Sequence, residues 1–262
     1  MRIARFTSPA GAVSFGVVEG GPDVPYEART VAKIDSLFGP IRFTGERWAL
    51  PDVRLLAPVV PTKVIGIGKN YAEHAAEMGG EVPAAPLIFL KPSSAIIGPA
   101  DTIRLPVDSD HVDFEGELAV VVGGVTLVRD VPRDRALDIV LGYTCANDVT
   151  ARDQQKADGQ WARAKGHDSF CPLGPWIETV LDPADLAIRT DLDGEVRQDS
   201  RTSRLIHDIP TLISYVSHAM TLVPGDVILT GTPAGVGPLA DGQSVAVTVE
   251  GIGTLTNPVR SR

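Results

Sequence analysis

The chain of 262 residues is long enough to bury a substantial core, as one large domain or one domain with a small appendage. An apolar fraction of 44% and a charged fraction of 22% are those of a soluble globular protein, and a net charge of −9 argues against non-specific binding to nucleic acid or anionic membranes. The start, Met1 to Phe6, lacks the apolar core of a signal peptide, and no apolar run approaches the roughly 20 residues of a membrane helix. Cys145 and Cys171 have no metal-type spacing and make no disulfide framework, so both read as buried thiols of a cytoplasmic protein.

The 26 glycines and 21 prolines are scattered, which favours many turns and short strands over a helical bundle. Residues 2–6 and 13–19 read as two strands around the turn Ser8-Pro9-Ala10-Gly11, and with 24–56 they form a small N-terminal unit. Pro51, Pro58 and Pro61 punctuate its end, which divides the chain into a β-containing segment 1–61 and a larger domain 62–262. Residues 63–68 read as a strand, 69–78 as a short helix ended by Gly79-Gly80, and 87–91 as a strand. Gly66-Ile67-Gly68 lacks a third glycine and a full crossover helix, which excludes a dinucleotide site.

Asp113-Phe114-Glu115-Gly116-Glu117 then runs into Leu118-Ala119-Val120-Val121-Val122, an apolar, β-branched stretch with the pattern of a buried strand. Side chains alternate on a strand, so Asp113, Glu115 and Glu117 share one face. Three carboxylates entering a core need protons, basic side chains or a cation, and oxygen-only ligands suit Mg²⁺, Mn²⁺ or Ca²⁺ better than zinc. A solvated edge strand with an acidic outer face is the other reading. Further on, residues 136–141 form a short apolar element leading into 142–148, where Asp148 stands as the strand gives way to a loop. Residues 150–160 read as a loop or short helix. From Cys171 the chain is mostly β, with one helix at 209–220, strand and loop over 222–237, and a closing hairpin of 243–249 and 254–259.

Two features favour a metal centre over an acidic surface. Asp148 adds a carboxylate from a second element. His74 and Glu77, three apart on a helix, can pair as an activated general base, although His-x-x-Glu is also a common exposed surface pair. Lys91 and Lys165 are candidates to balance the acid cluster or to bind a substrate carboxylate. The turn Thr230 to Gly237 offers backbone N–H groups to an anion, or is a tight loop between strands. His111, His167, His207 and His218 form no ligand spacing and read as structural.

Gly68-Lys69-Asn70-Tyr71-Ala72-Glu73-His74, Phe89-Leu90-Lys91-Pro92-Ser93-Ser94, Asp113-Phe114-Glu115-Gly116-Glu117-Leu118, Asn147-Asp148-Val149-Thr150-Ala151-Arg152-Asp153 and Thr230-Gly231-Thr232-Pro233 occur in this order. From about residue 62 to the C-terminus the chain closely resembles the fumarylacetoacetate hydrolase family. The resemblance implies an α+β, mainly β fold, a rolled mixed β-sheet around a Mg²⁺ or Mn²⁺ site, usually in a homodimer. It implies Glu115, Glu117 and Asp148 as metal ligands, with Asp113 a neighbour. His74 and Glu77 match a lid dyad, Lys165 an active-site lysine and Gln155 a substrate-contacting glutamine. Lys91, Arg152 and Thr232 also fall on motif positions.

The expected activity is therefore metal-dependent C–C cleavage in a 2-oxo acid, such as acylpyruvate hydrolysis or oxaloacetate decarboxylation, with the substrate a small 2-oxo acid or dicarboxylate. An isomerase of 2-hydroxyhepta-2,4-diene-1,7-dioate in aromatic catabolism is the enzymatic alternative. A non-catalytic dicarboxylate-binding protein is the alternative from another class.

Overall fold

The computed structural model describes residues 1–21, 23–79 and 82–262. The molecule is α+β and mainly β, built from mixed sheets, as the sequence suggests. Its largest sheet begins with the N-terminal strands: Arg2–Thr7 pairs with Val13–Glu19, and Thr30–Ile34 and Phe43–Ala49 extend the edge. The first strand also pairs antiparallel with Cys171–Glu178, matching Arg2 to Glu178 and Ile3 to Ile177. The sheet thus runs without interruption from the N-terminal segment into the rest of the molecule. It continues through Val140–Asn147, Gly116–Val122, Val227–Leu229, Val64–Gly68 and Leu87–Lys91.

The strand Gly116–Val122 is buried at every residue because both faces of this sheet are covered. Leu118, Val120 and Val122 join one core cluster, and Ala119 and Val121 join another. That is why a fully apolar run, rather than an alternating one, codes for this strand. The first cluster also takes Leu212, Ile213 and Val216 from helix α4 (Ile209–Ala219). Each such buried side chain contributes about 1.5–3 kcal/mol. Asp208 caps α4 by accepting from Thr211 N–H at 3.0 Å, and Pro210 sits in the first turn, where its missing N–H costs nothing.

Several elements differ in extent from the sequence reading. Residues 113–122 are not one strand. Val112–Phe114 belongs to a separate three-stranded sheet, Gly116–Val122 to the large one, and Glu115 stands at the break. Residues 136–141 lie mostly in a 3-10 helix, Arg133–Ile139, which hands over to the strand at Val140. The helix expected over 69–78 is shorter: α1 spans Ala72–Glu77, because Lys69 adopts φ 54° and Tyr71 is extended. Gly79 ends it with φ 66°, and Gly80 lies outside the described residues. The polar stretch after Asp148 folds into α2 (Arg152–Asp158) and α3 (Ala162–Gly166). Ser244–Val249 and Gly253–Ser261 form the closing hairpin. Among the described residues no helix is long and apolar enough to cross a membrane. Both cysteines are buried, and burial pushes each thiol up to about 12.

Candidate active site and metal centre

The acidic cluster is assembled by backbone pairing. Gly116 pairs with Asn147 across two antiparallel strands, which sets Glu115 and Asp148 side by side. Asp148 N–H donates to the Glu115 carbonyl at 2.8 Å, and Glu115 N–H donates to Asn147 Oδ1 at 2.9 Å. Glu117 follows two residues later on the same strand and so faces the same way as Glu115. One carboxylate oxygen from each of Glu115, Glu117 and Asp148 lies within 4.8 Å of the others. All three are buried, which removes the reading of a solvated acidic edge. Asp113 stands apart from this trio. It accepts from Arg152 Nε at 2.7 Å and contacts His111 Nε2 at 2.9 Å, because the strand breaks after Phe114.

Basic side chains converge on the cluster unevenly. Lys165, from α3, donates to Asp148 Oδ2 at 2.5 Å and to Glu115 Oε2 at 3.0 Å. Lys91, at the end of its strand, binds Asp148 Oδ1 and the Val149 carbonyl. Arg152 Nη2 lies 2.6 Å from Glu115 Oε1. Burial works against the Glu115 charge, yet Lys165 and Arg152 outweigh it and hold this carboxyl far below the usual range. Glu117 is different. It accepts from Gly231 N–H at 2.6 Å, and among the described residues no cation pairs with it. Burial, with Asp148 and Glu115 adding repulsion, raises its carboxyl well above the ordinary value. Four carboxylates, Asp113 included, therefore face three permanent cations, Lys91, Arg152 and Lys165. The donors are all oxygen and the carboxyl groups outnumber the cations by one, a set that fits a hard divalent ion.

His74 and Glu77 meet as their spacing predicts: His74 Nδ1 lies 3.0 Å from Glu77 Oε2. They are not a surface pair, because His74 is buried and lines a cavity of about 50 Å³ together with Glu115, Glu117, Arg152, Gln155, Lys165 and Thr232. Lys91 is not part of this lining; its ammonium is taken up by Asp148 and Val149. The small cavity shares Lys69, Met78, Arg152, Gln155 and Trp161 with a wider cleft of about 640 Å³. The loop 230–237 does cradle anions, but they are the protein's own carboxylates. Gly231 N–H holds Glu117, and Gly235 N–H holds Glu77 Oε1 at 3.0 Å.

Sequence reasoning missed the residues that hold these pieces in place. Gln198 is fully buried; its Oε1 accepts from Gly116 N–H, and its Nε2 donates to Thr232 Oγ1 and the Pro233 carbonyl. Thr232 in turn donates to the Gly116 carbonyl at 2.9 Å, so its hydroxyl serves the carboxylate-bearing strand. Asn70 joins the start of α1 to two distant segments, donating to the His207 and Thr230 carbonyls and accepting from His207 N–H. Phe89 and Trp161 pack edge to face at 5.4 Å, and the Lys165 ammonium lies 4.8 Å from the Phe89 ring centre. Asn70 lay within a motif, but Gln198 sits in a polar hairpin with nothing local to mark it.

The fumarylacetoacetate hydrolase C-terminal domain matches residues 63–260, and an Rv2993c-like N-terminal domain matches residues 1–58. Protein Rv2993c of Mycobacterium tuberculosis is 57% identical over 262 residues, 99% of this chain and 98% of that protein. The mitochondrial oxaloacetate tautomerase fahd2 of Xenopus laevis is 43% identical over 79% of this chain and 69% of its own. Among solved structures, 5-carboxymethyl-2-hydroxymuconate delta-isomerase from Mycobacterium smegmatis is 57% identical, covers 100% of both chains and superposes with a TM-score of 0.91. The 2-hydroxyhepta-2,4-diene-1,7-dioate isomerase of Mycobacterium marinum is 54% identical with a TM-score of 0.93, covering 100% and 99%. Maleylpyruvate hydrolase from Sphingobium sp. SYK-6, solved with manganese(II) and pyruvate, is 32% identical with a TM-score of 0.80, covering 100% and 99%. With most of its length matched and its fold shared with enzymes of this group, the chain belongs to the fumarylacetoacetate hydrolase family.

Proposed function

We propose that this protein is a divalent-metal-dependent enzyme that cleaves a C–C bond in a β-keto or β-diketo 2-oxo acid, with Glu115, Glu117 and Asp148 holding Mg²⁺ or Mn²⁺. The observation that carries this reading is the buried carboxylate trio, two of whose members, Glu115 and Glu117, line one cavity with His74, the imidazole that Glu77 engages. The manganese and pyruvate held by the maleylpyruvate hydrolase relative support both the ion and the substrate class. A bound ion supplies Lewis acidity toward the carboxylate and keto oxygens of a 2-oxo acid. Its two positive charges would leave the cluster net positive, which favours an anionic substrate.

The chain's own groups supply the proton chemistry. Glu77, fixed by Gly235 N–H, engages His74 Nδ1 and leaves Nε2 to accept a proton from a water or from carbon. Lys165 presents an ammonium to the oxyanion that develops next to Glu115 and Asp148. Arg152 and Gln155 are among the donors at the mouth, where the small cavity meets the wider cleft.

Isomerisation is the second reading, favoured by the names of the solved relatives at 57% and 54% identity and by the tautomerase at 43%. It uses the same base to move a proton between carbons, with no water attacked. Chelator-stripped protein would be assayed with acetylpyruvate, oxaloacetate and a 2-hydroxydienedioate, with and without Mg²⁺ or Mn²⁺. Metal-dependent consumption of the first two to C–C cleavage products supports the hydrolytic reading. Metal-dependent conversion of the third alone moves the protein to the isomerases. Tight binding without turnover of any of them makes it a non-catalytic dicarboxylate-binding protein.

A further inference from the structure

Another cavity, of about 630 Å³, lies between the N-terminal strands and the closing hairpin. It shares no lining residue with the carboxylate cavity or the wider cleft. Arg2, Tyr26, Arg29 and Leu55 line it from the segment matched by the N-terminal domain, and Pro175, Trp176 and Ile252 from the larger one. Its volume falls in the range of small-molecule sites, about 300–1,000 Å³. The first strand pairs with Cys171–Glu178, and that pairing brings Arg2 to Trp176.

Two guanidinium groups converge on one indole there. The Arg2 and Arg29 guanidinium carbons lie 5.5 and 5.8 Å from the Trp176 ring centre. The indole is itself fixed, because Nε1 donates to the Ile252 carbonyl at 2.9 Å. Arg2 is poorly served by the protein's own acceptors. Its Nη1 is buried without a hydrogen-bond partner among the described residues, and Glu178 lies 3.5 Å from its Nε. Glu250 is the one carboxylate of the described lining, and it is already engaged by Ala187 N–H at 2.9 Å and by Arg201 at 3.4 Å. The lining is thus positive within a chain whose net charge is −9. Leu55, Pro175 and Ile252 add apolar surface, and Tyr26 is exposed.

We infer that this cavity is a binding site for a small aromatic carboxylate, separate from the candidate metal centre. Guanidinium groups receive a carboxylate in a planar fork, and the apolar walls take the ring. Inorganic phosphate would meet the charge but leave the apolar walls unused. The site does not depend on the metal-dependent reading of the carboxylate trio. It gives residues 1–58 a task, since both guanidinium groups come from that segment.

The probes are 2-naphthoate, its neutral counterpart 2-naphthamide and inorganic phosphate, each titrated calorimetrically into the metal-free full chain. 2-Naphthoate is expected to bind about tenfold or more tighter than either of the others. Arg29→Met should weaken it about tenfold, and Arg29→Lys less. Thr254→Phe, which fills the cavity from an exposed hairpin position, should abolish binding at an unchanged melting temperature. Arg152→Met, in the carboxylate cavity, should leave the affinity within about twofold. An affinity for 2-naphthoate no greater than for 2-naphthamide or phosphate, or no binding at millimolar concentration, overturns the assignment. So does binding that Arg152→Met removes and Arg29→Met keeps, which would put the ligand in the carboxylate cavity.

Discussion

The Lys165 ammonium lies 2.5 Å from Asp148 Oδ2, and both groups are buried. The same nitrogen reaches Glu115 at 3.0 Å, so one side chain of α3 bridges two of the three clustered carboxylates. Removing one member of such a buried pair leaves the other uncompensated, which typically costs 3–5 kcal/mol. Asp148 keeps Lys91, so Lys165→Met is expected at the lower end, about 3 kcal/mol in urea unfolding of metal-free protein. Saturating Mn²⁺ should recover most of that loss, because the ion supplies the charge that lysine supplied, while turnover stays depressed by about 10²-fold or more. A loss of the same size with and without Mn²⁺ would show that the carboxylates are not its cause.

Glu117 gives a prediction of opposite sign. Its folded-state carboxyl is raised above the ordinary value by burial and by Asp148 and Glu115. A raised group contributes stability that is fully present below the unfolded value, near 4.5, and is lost as pH climbs through the folded one. Glu117→Gln removes this liability. Metal-free Glu117→Gln should melt higher than wild type at pH 8, by about 2–4 °C for each kcal/mol recovered, and the gap should close toward pH 5. The same substitution should abolish the Mn²⁺-induced rise in melting temperature. In wild type that rise should grow with pH, since the ion displaces a proton. A pH-independent rise in the wild-type protein would contradict this.

His74→Ala separates the two catalytic readings. The imidazole lies between Glu77 and the cavity, and it is placed to take a proton but makes no bond to the carboxylate trio. Loss of the base should cost C–C hydrolysis by about 10²–10⁴-fold. Enol–keto conversion, which proceeds in part in solution, should lose less. Measuring both reactions on one preparation, with Mn²⁺ affinity as the control, decides it. Equal losses in both would place His74 on a proton transfer common to the two reactions.

How far such a site is legible in sequence depends on which contacts are local. Glu115 and Glu117 announce themselves because carboxylates immediately before a β-branched apolar run are costly unless compensated. His74 and Glu77 are visible because i,i+3 spacing on a helix is a geometric fact. Asp148 is marked by the end of its strand. What stays hidden is produced by pairings far apart in sequence. Asp113 leaves the trio because Asp148 N–H and the Asn147 side chain take over the backbone at Glu115 and break the strand there. The N-terminal strands join the large sheet through Arg2 and Ile3 against Glu178 and Ile177, a pairing across more than 170 residues. The loop 230–237 reads as an anion cradle, yet its anions, Glu117 and Glu77, come from elements more than a hundred residues earlier.

Gln198 is the extreme case, because its whole effect is exerted across the sheet boundary. It lies on Glu195–Arg201, in a five-stranded sheet that shares no strand with the one carrying Glu117, yet its Oε1 takes the N–H of Gly116, between two candidate ligands. Gly116 admits this approach because a Cβ there would lie 3.1 Å from Gln198 Oε1 and 2.0 Å from Thr190 Oγ1. Gln198→Ala leaves the Gly116 N–H and the Pro233 carbonyl buried without partners, and each such group costs about 1–3 kcal/mol. It also frees Thr232, which clamps the Gly116 carbonyl. The backbone should then loosen at the candidate ligands Glu115 and Glu117. The expected result is a loss of about 2 kcal/mol in urea unfolding, accompanied by Mn²⁺ affinity weakened about 10–100-fold. Unfolding changed with Mn²⁺ affinity held within about twofold would reduce Gln198 to a packing residue. Both changed together would make this glutamine the tie between two sheets that fixes the geometry of the carboxylates.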